Sequence, residues 1–136
     1  NRRGLLDTLG DVNLFEINLS MIVVDIDKFK NINDTYGHNV GDSVLKELSQ
    51  ILVAHIREND MVARWGGEEF VVIVYTKDIN VTQNVAEKLR IAIEKYDFTT
   101  VKKLTASFGV SIAKNKDESF DDIFEKQIRL FIKLKS

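Results

Sequence analysis

Apolar strands and amphipathic helices in the order β-α-β-β-α-β predict an α+β domain built on an antiparallel sheet. Three observations carry this reading. Met21-Ile22-Val23-Val24 is a continuous apolar run, Gly66-Gly67 separates two short apolar segments, and the stretches between repeat their apolar residues with helical period. A run without polar alternation suits a strand buried on both faces, whereas a period near 3.6 marks helices that bury one stripe.

Taken in order, Leu5, Leu6 and Leu9 suggest a short opening helix broken by Gly10. The apolar run ending at Asp25 is the first strand. From Asp42 onward, Val44, Leu45, Leu48, Ile51, Leu52, His55 and Ile56 fall on one side of a long helix. Residues 61–64 and 70–75 read as two strands joined around Gly66-Gly67, since tight two-residue turns need positive φ, which glycine adopts at little cost. Val85, Leu89, Ile91, Ala92 and Ile93 mark another helix, residues 104–113 a strand, and residues 120–132 a final helix. This is the ferredoxin-like arrangement with an added helix at each end, helices over one face and the hairpin on the other. Many functions share that fold, so the site must decide.

A chain of 136 residues fits one domain, residues 1–136, large enough to bury a sizeable core. Hydrophobic residues at 44% and charged residues at 29% give the balance of a soluble globular domain. No apolar run is long enough to span a bilayer, and no charged leader precedes an apolar segment, so a cytoplasmic location is expected. The absence of cysteine excludes disulfides and thiolate metal sites, which suits a reducing compartment. A net charge of −2 argues against a nucleic acid held on a broad basic face, yet leaves room for a local phosphate pocket. The abrupt opening at Asn1-Arg2-Arg3 reads as one module of a larger protein, with a missing N-terminal region that can tether it to the inner membrane.

Three constellations carry chemistry. Asp25-Ile26-Asp27 ends the buried strand, where carboxylates are costly unless paired or metal-bound; the alternative is a solvated strand-terminating turn. Glu68-Glu69 follows the glycine pair, and adjacent strand residues point to opposite faces, so at most one faces the core layer. If the hairpin lies beside the first strand, Glu68 and Asp25 converge; otherwise the pair is a polar hairpin tip. Oxygen-only ligation by few carboxylates favours Mg²⁺ or Mn²⁺. The third constellation runs from Phe29 to Asp42 and packs amides, carboxylates and Lys30 ahead of a helix start. It can hold phosphate through backbone N–H groups and Lys30, with Asn33 and Asp42 reading a guanine edge, or it is a capped helix start and nothing more. His55 on the apolar helix side reads as packing, and His38 either touches a nucleotide from the polar stretch or is, as a lone loop histidine usually is, structural.

Together these residues resemble the GGDEF family, the diguanylate cyclases. Arg64-Trp65-Gly66-Gly67-Glu68-Glu69-Phe70 matches the family's GG(D/E)EF hairpin in its GGEEF form. Asp25 to Asp42 matches its D-x-D-x-F-K-x-I-N-D-x-x-G-H-x-x-G-D block. Asn1-Arg2-Arg3 is similar to the end of the opening family motif, and Thr105-Ala106-Ser107-Phe108-Gly109-Val110 to a later T-x-S-x-G-V strand.

The resemblance implies a fold similar to nucleotide cyclase and polymerase palm domains, and condensation of two GTP into cyclic di-GMP by two-metal nucleotidyl transfer across a homodimer. Two Mg²⁺ (or Mn²⁺) ions per site would be held by Asp25, the Ile26 carbonyl, Glu68 and Glu69. Glu68 would also be the catalytic base, and Lys30 would neutralise transition-state charge. Phe29, Asn33, His38, Asp42, Gly66, Gly67 and Lys133 would bind GTP, the aspartate at position 42 selecting guanine over adenine. Arg57 and Asp60, an R-x-x-D upstream of the hairpin, with Lys88 or Arg90 nearby, would form a site at which cyclic di-GMP inhibits. A sensory domain upstream is expected. The C-terminus departs from the family pattern, lacking its G-R-N end and keeping only Lys133 as a phosphate contact. The competing readings are an inactive GGDEF domain that senses cyclic di-GMP or GTP, and a purely structural dimerisation domain.

Overall fold

The computed structural model describes residues 19–112. The expected opening and closing helices, and Lys133, lie outside the described residues. The chain runs β1 (Leu19–Ile26), α1 (Phe29–Tyr36), α2 (His38–Ala54), β2 (Met61–Arg64), β3 (Glu69–Tyr75), α3 (Ile79–Lys95) and β4 (Ala106–Ile112). The four strands form one sheet in the order β2-β3-β1-β4, every neighbouring pair antiparallel. This is the predicted β-α-β-β-α-β order. The hairpin, however, lies within the sheet as two of its strands and not over a second face.

All eight residues of β1 are buried, which accounts for its unbroken apolar run. Ile22, Val24 and Ile26 join Phe70, Val72 and Val74 of β3 on the face covered by Leu45, Leu48 and Leu52 of α2 and Leu89 and Ile93 of α3. Each such fully buried side chain contributes about 1.5–3 kcal/mol relative to exposure. Met21, Val23, Val71 and Ile73 alternate with that set and are buried as well. A polar link in this layer joins Ser20 of β1 to Thr82 of α3, the Ser20 hydroxyl donating to the Val74 carbonyl at 3.1 Å.

Helix boundaries differ from expectation in an instructive way. The stretch expected as a loop leading into the long helix is itself helical over Phe29–Tyr36, and α2 starts at His38, four residues before Asp42. Asn31, Asn33, Asp34 and Thr35 are weak helix formers, so propensity hid a helix that Phe29 and Ile32 anchor from one side. Gly37, at φ 92°, makes the corner between the two helices, a conformation that costs other residues strain. α3 likewise begins earlier than its apolar run, at Ile79, where the Asp78 carboxylate accepts the Asn80 N–H at 2.9 Å. Among the described residues no helix is long and apolar enough to cross a membrane.

Candidate active site

The end of β1 fixes the first group. Asp25 is only 8% exposed and sits directly opposite Glu69 of β3 on one side and Ser107 of β4 on the other. Cross-strand partners share a face with Cβ atoms about 5 Å apart, so the Asp25 and Glu69 carboxylates project from the same face of the sheet. Like charges so placed repel, and a cation between them reverses the sign of the interaction. The register thus brings Glu69, and not Glu68, opposite Asp25. Glu68 is the half-buried residue just before β3 starts. Ile26 has its side chain in the core, leaving its carbonyl as the group available to a ligand.

Among the described residues no three His, Cys, Asp or Glu side chains form a ready-made metal cage. Two facing carboxylates and a strand-end carbonyl still fit Mg²⁺, which is commonly bound through one or two carboxylates with water and substrate phosphates completing its octahedron. The donor set is all oxygen, as that ion requires.

The hairpin tip is built differently from expectation. Neither Gly66 nor Gly67 has positive φ, and the connection runs over four residues, closed by Trp65 N–H donating to the Glu69 carbonyl at 2.8 Å. Its shape is held by Arg64, whose guanidinium donates to the Gly66 carbonyl (3.3 Å) and twice to the Gly67 carbonyl (3.2 and 2.6 Å). A Cβ on Gly67 would meet nothing within 4 Å, so the open space over the tip, and not the backbone, is what the glycine pair provides. Sequence reading missed the role of Arg64, because no local pattern announces a side chain that caps the turn ahead of it.

Across the Gly37 corner, Asn33 and Phe29 of α1 pack against Gly41 of α2. An added Cβ on Gly41 would lie 1.9 Å from Asn33 Oδ1 and 3.3 Å from the Phe29 ring, so the missing side chain is what seats the Asn33 amide against the first turn of α2. Phe29 belongs to the core, which leaves only its backbone for a ligand. Asp42 is exposed and borders a cleft of about 590 Å³ that extends past Lys46 to Arg64 and Phe70. Lys30 and His38 are exposed on α1 and at the start of α2. His55, expected to pack on the apolar side of the helix, instead follows its last residue, with Nδ1 2.8 Å from the Ile51 carbonyl.

Arg57 and Asp60 come together as an internal latch. The Asp60 carboxylate, with its side chain 1% exposed, accepts the Arg57 guanidinium at 3.1 and 3.2 Å, the Arg57 N–H at 3.3 Å and the Tyr75 N–H at 3.2 Å. Arg57 itself is about half exposed. Lys88 is exposed on α3, and the bonds of Arg57 and Asp60 do not include it. Arg90 is engaged by Glu87 and Glu94, which lowers the Glu87 carboxyl below its usual range through the hydrogen bond from Arg90.

The sequence model of the diguanylate cyclase GGDEF domain matches residues 1–134. The chain belongs to the GGDEF family. This GGDEF domain is 37% identical over 107 residues to diguanylate cyclase DgcM of Escherichia coli K12, a match covering 79% of the chain and 26% of that protein. It is 42% identical over 112 residues to diguanylate cyclase A of Treponema denticola, covering 79% of the chain and 30% of that protein. The chain therefore spans under a third of the length of these relatives. Among solved structures, the active GGEEF domain of a Vibrio cholerae diguanylate cyclase superposes with TM-score 0.84 at 30% identity, covering 99% of this chain and 90% of that one. The GGDEF domain of DgcB from Caulobacter crescentus, in complex with c-di-GMP, superposes with TM-score 0.86 at 26% identity, covering 99% and 84%.

Proposed function

We propose that this GGDEF domain is a diguanylate cyclase that joins two GTP molecules into cyclic di-GMP and releases two pyrophosphates. The observation that carries the reading is the Asp25–Glu69 register pair beside an open glycine hairpin, with Asn33 of α1 seated against Gly41 of α2. Asp25, the Ile26 carbonyl, Glu68 and Glu69 hold two Mg²⁺ or Mn²⁺ ions. When bound, these ions draw negative charge from the triphosphate and stabilise the charge developing at the α-phosphorus.

The chain's own residues do the rest. Glu68 accepts the proton of the 3′-hydroxyl as that oxygen attacks the α-phosphorus and pyrophosphate leaves. Lys30 offsets charge on the triphosphate from the first turn of α1, while the backbone of Phe29, Gly66 and Gly67 allows close approach. Asn33 and Asp42 pair with the guanine edge, His38 borders the nucleotide, and Lys133 adds a phosphate contact. Each domain holds one GTP, so two domains face each other to close the ring, and an upstream sensory domain controls that encounter. Product returns to Arg57, Asp60 and Lys88 as an inhibitor. For Asp60 this requires exchange of its present bonds to Arg57 and Tyr75 for the guanine edge.

The test is incubation of the concentrated domain with GTP and Mg²⁺ and chromatographic detection of cyclic di-GMP, with Glu68→Gln beside it. The expected outcome is product from the parent and a loss of at least about 100-fold in the variant. Specific activity should rise with protein concentration if a homodimer is the catalyst. Absence of product despite measurable binding of cyclic di-GMP would transfer the assignment to a sensor domain.

A further inference from the structure

The connection from β1 to α1 consists of Asp27 and Lys28 alone. Lys28 sits at φ 57°, ψ 34°, in the left-handed region, and gives no side-chain cap to the helix that follows. A non-glycine residue there costs about 1 kcal/mol and persists only where its surroundings impose it. Asp27 supplies the constraint. Its N–H donates to the Thr105 carbonyl at 3.0 Å, its Oδ2 accepts the Thr105 hydroxyl at 2.7 Å, and its Oδ1 accepts the Ser107 hydroxyl at 2.5 Å. Ser107 is also the β4 residue directly opposite Asp25, so one strand borders the first aspartate and grips the second. Asp27 further lines a groove with Lys28, Asn31 and Thr105, on a side of α1 separate from the Asp42 cleft.

We propose that Asp27 is a positioning residue and not a metal ligand. Pinned at three points to the approach of β4, it sets the direction of the Ile26 carbonyl before it and of the first turn of α1, with Lys30, after it. The Thr105 and Ser107 hydroxyls then belong to the metal-nucleotide site although neither touches it. This deepens the cyclase reading and rests on it. Outer-shell partners that orient ligands in this way cost about 10–100-fold in metal affinity when removed.

The experiment measures Mn²⁺ affinity by electron paramagnetic resonance in the presence of a non-hydrolysable GTP analogue, together with thermal midpoints. The variants are Thr105→Val, Thr105→Ser, Ser107→Ala, Asp27→Asn and the Asp27→Asn/Ser107→Ala double, with Asp25→Asn as the ligand control. Thr105→Val, Ser107→Ala and Asp27→Asn should each weaken Mn²⁺ binding about 10-fold. Thr105→Ser should rescue it, and the double should be no worse than its weaker-binding single variant. Loss on Asp27→Asn with no change in the two hydroxyl variants would make Asp27 a direct ligand and overturn the proposal. Lowered midpoints with unchanged affinity of the folded protein would reduce the cluster to structure alone and overturn it too. A parent domain that binds no guanine nucleotide would instead overturn the proposed function, and this inference with it.

Discussion

Gly41→Ala separates stability from recognition at one position. The new methyl would meet Asn33 Oδ1 at 1.9 Å and Asn33 Cγ at 3.0 Å, and the amide must retreat by about 1.5 Å to reach ordinary contact. Asn33 is a short side chain ending in a rotatable amide, so the retreat costs on the order of 0.5–1.5 kcal/mol in rotamer strain. The Phe29 ring, 3.3 Å away, adds a few tenths more. Against this stands the gain of roughly 0.5–1 kcal/mol when alanine replaces glycine within a helix. The two nearly cancel, so the thermal midpoint should move by no more than about 4 °C. Recognition has no such offset. An Asn33 amide swung out of its seat would lose the guanine contact proposed for it, worth about 1–3 kcal/mol, and GTP-analogue affinity should fall about 10-fold or more. The cycle with Asn33→Ala isolates the clash. In that background Gly41→Ala should stabilise, and the difference between backgrounds should be about 1 kcal/mol. Equal stabilisation in both backgrounds, with nucleotide affinity unchanged, would refute the argument that glycine is there to seat Asn33.

Two further outcomes follow from the described contacts. Asp60→Ala should destabilise the domain by about 2 kcal/mol, roughly 6 °C in midpoint, because the Tyr75 N–H and the Arg57 guanidinium lose a buried acceptor; Arg57→Ala should cost less, its side chain being half exposed, and equal midpoints for the two variants would contradict the latch. The Tyr96 phenol is raised above its usual range mainly by donating to Glu47 Oε1 at 3.1 Å, with desolvation adding to the effect. Because the folded value is the higher one, this contribution is complete below the ordinary tyrosine range and is lost as pH climbs through the raised value. Ultraviolet titration, with Tyr96→Phe to subtract the other two tyrosines, should show the midpoint falling in Glu47→Ala, and an unmoved midpoint would rule out Glu47 as the cause.

Much of this was legible in sequence, for definite physical reasons. β1 announced itself as a short unbroken apolar run ending at Asp25, too short for a buried helix, and α2 by apolar residues that recur at helical spacing from Val44 to Leu52. The metal-binding candidates followed from carboxylates placed where β1 ends and β3 begins. The pattern put Glu68 toward Asp25, whereas the register places Glu69 opposite it, because strand register depends on where pairing starts and one residue of slip exchanges the faces. It also misjudged α1, whose asparagines, aspartate and threonine are poor helix formers, and the glycine hairpin, where a four-residue connection replaced the expected tight turn. Arg64 and the Asp27–Thr105–Ser107 cluster were out of reach for a different reason. The cluster's hydrogen bonds join residues 78 and 80 positions apart and leave no local period, while Arg64 bonds carbonyls two and three residues ahead, a capping contact that no residue pattern marks.

The departures from regular backbone are not spread evenly. Among the described residues, positive φ occurs at Lys28, Gly37 and Lys102. The first two, with the close approach at Gly41, fall within the segment from Asp25 to Asp42 that carries most of the proposed nucleotide contacts. Lys102 precedes by three residues the threonine that grips Asp27. The sheet beneath is regular, and Asp25 stands near the end of its wholly buried interior strand β1. A phosphate-binding turn must present backbone N–H groups and a lysine at angles that a regular strand-to-helix connection does not give. Under the proposed function, strain at Lys28 is expected where the chain would serve a ligand and not the core. If so, relieving it with Lys28→Gly should stabilise the fold while loosening the turn, so that a higher midpoint accompanies weaker binding of the GTP analogue. A variant that gained both stability and affinity would show that the left-handed residue is an accident of the connection and no part of the site.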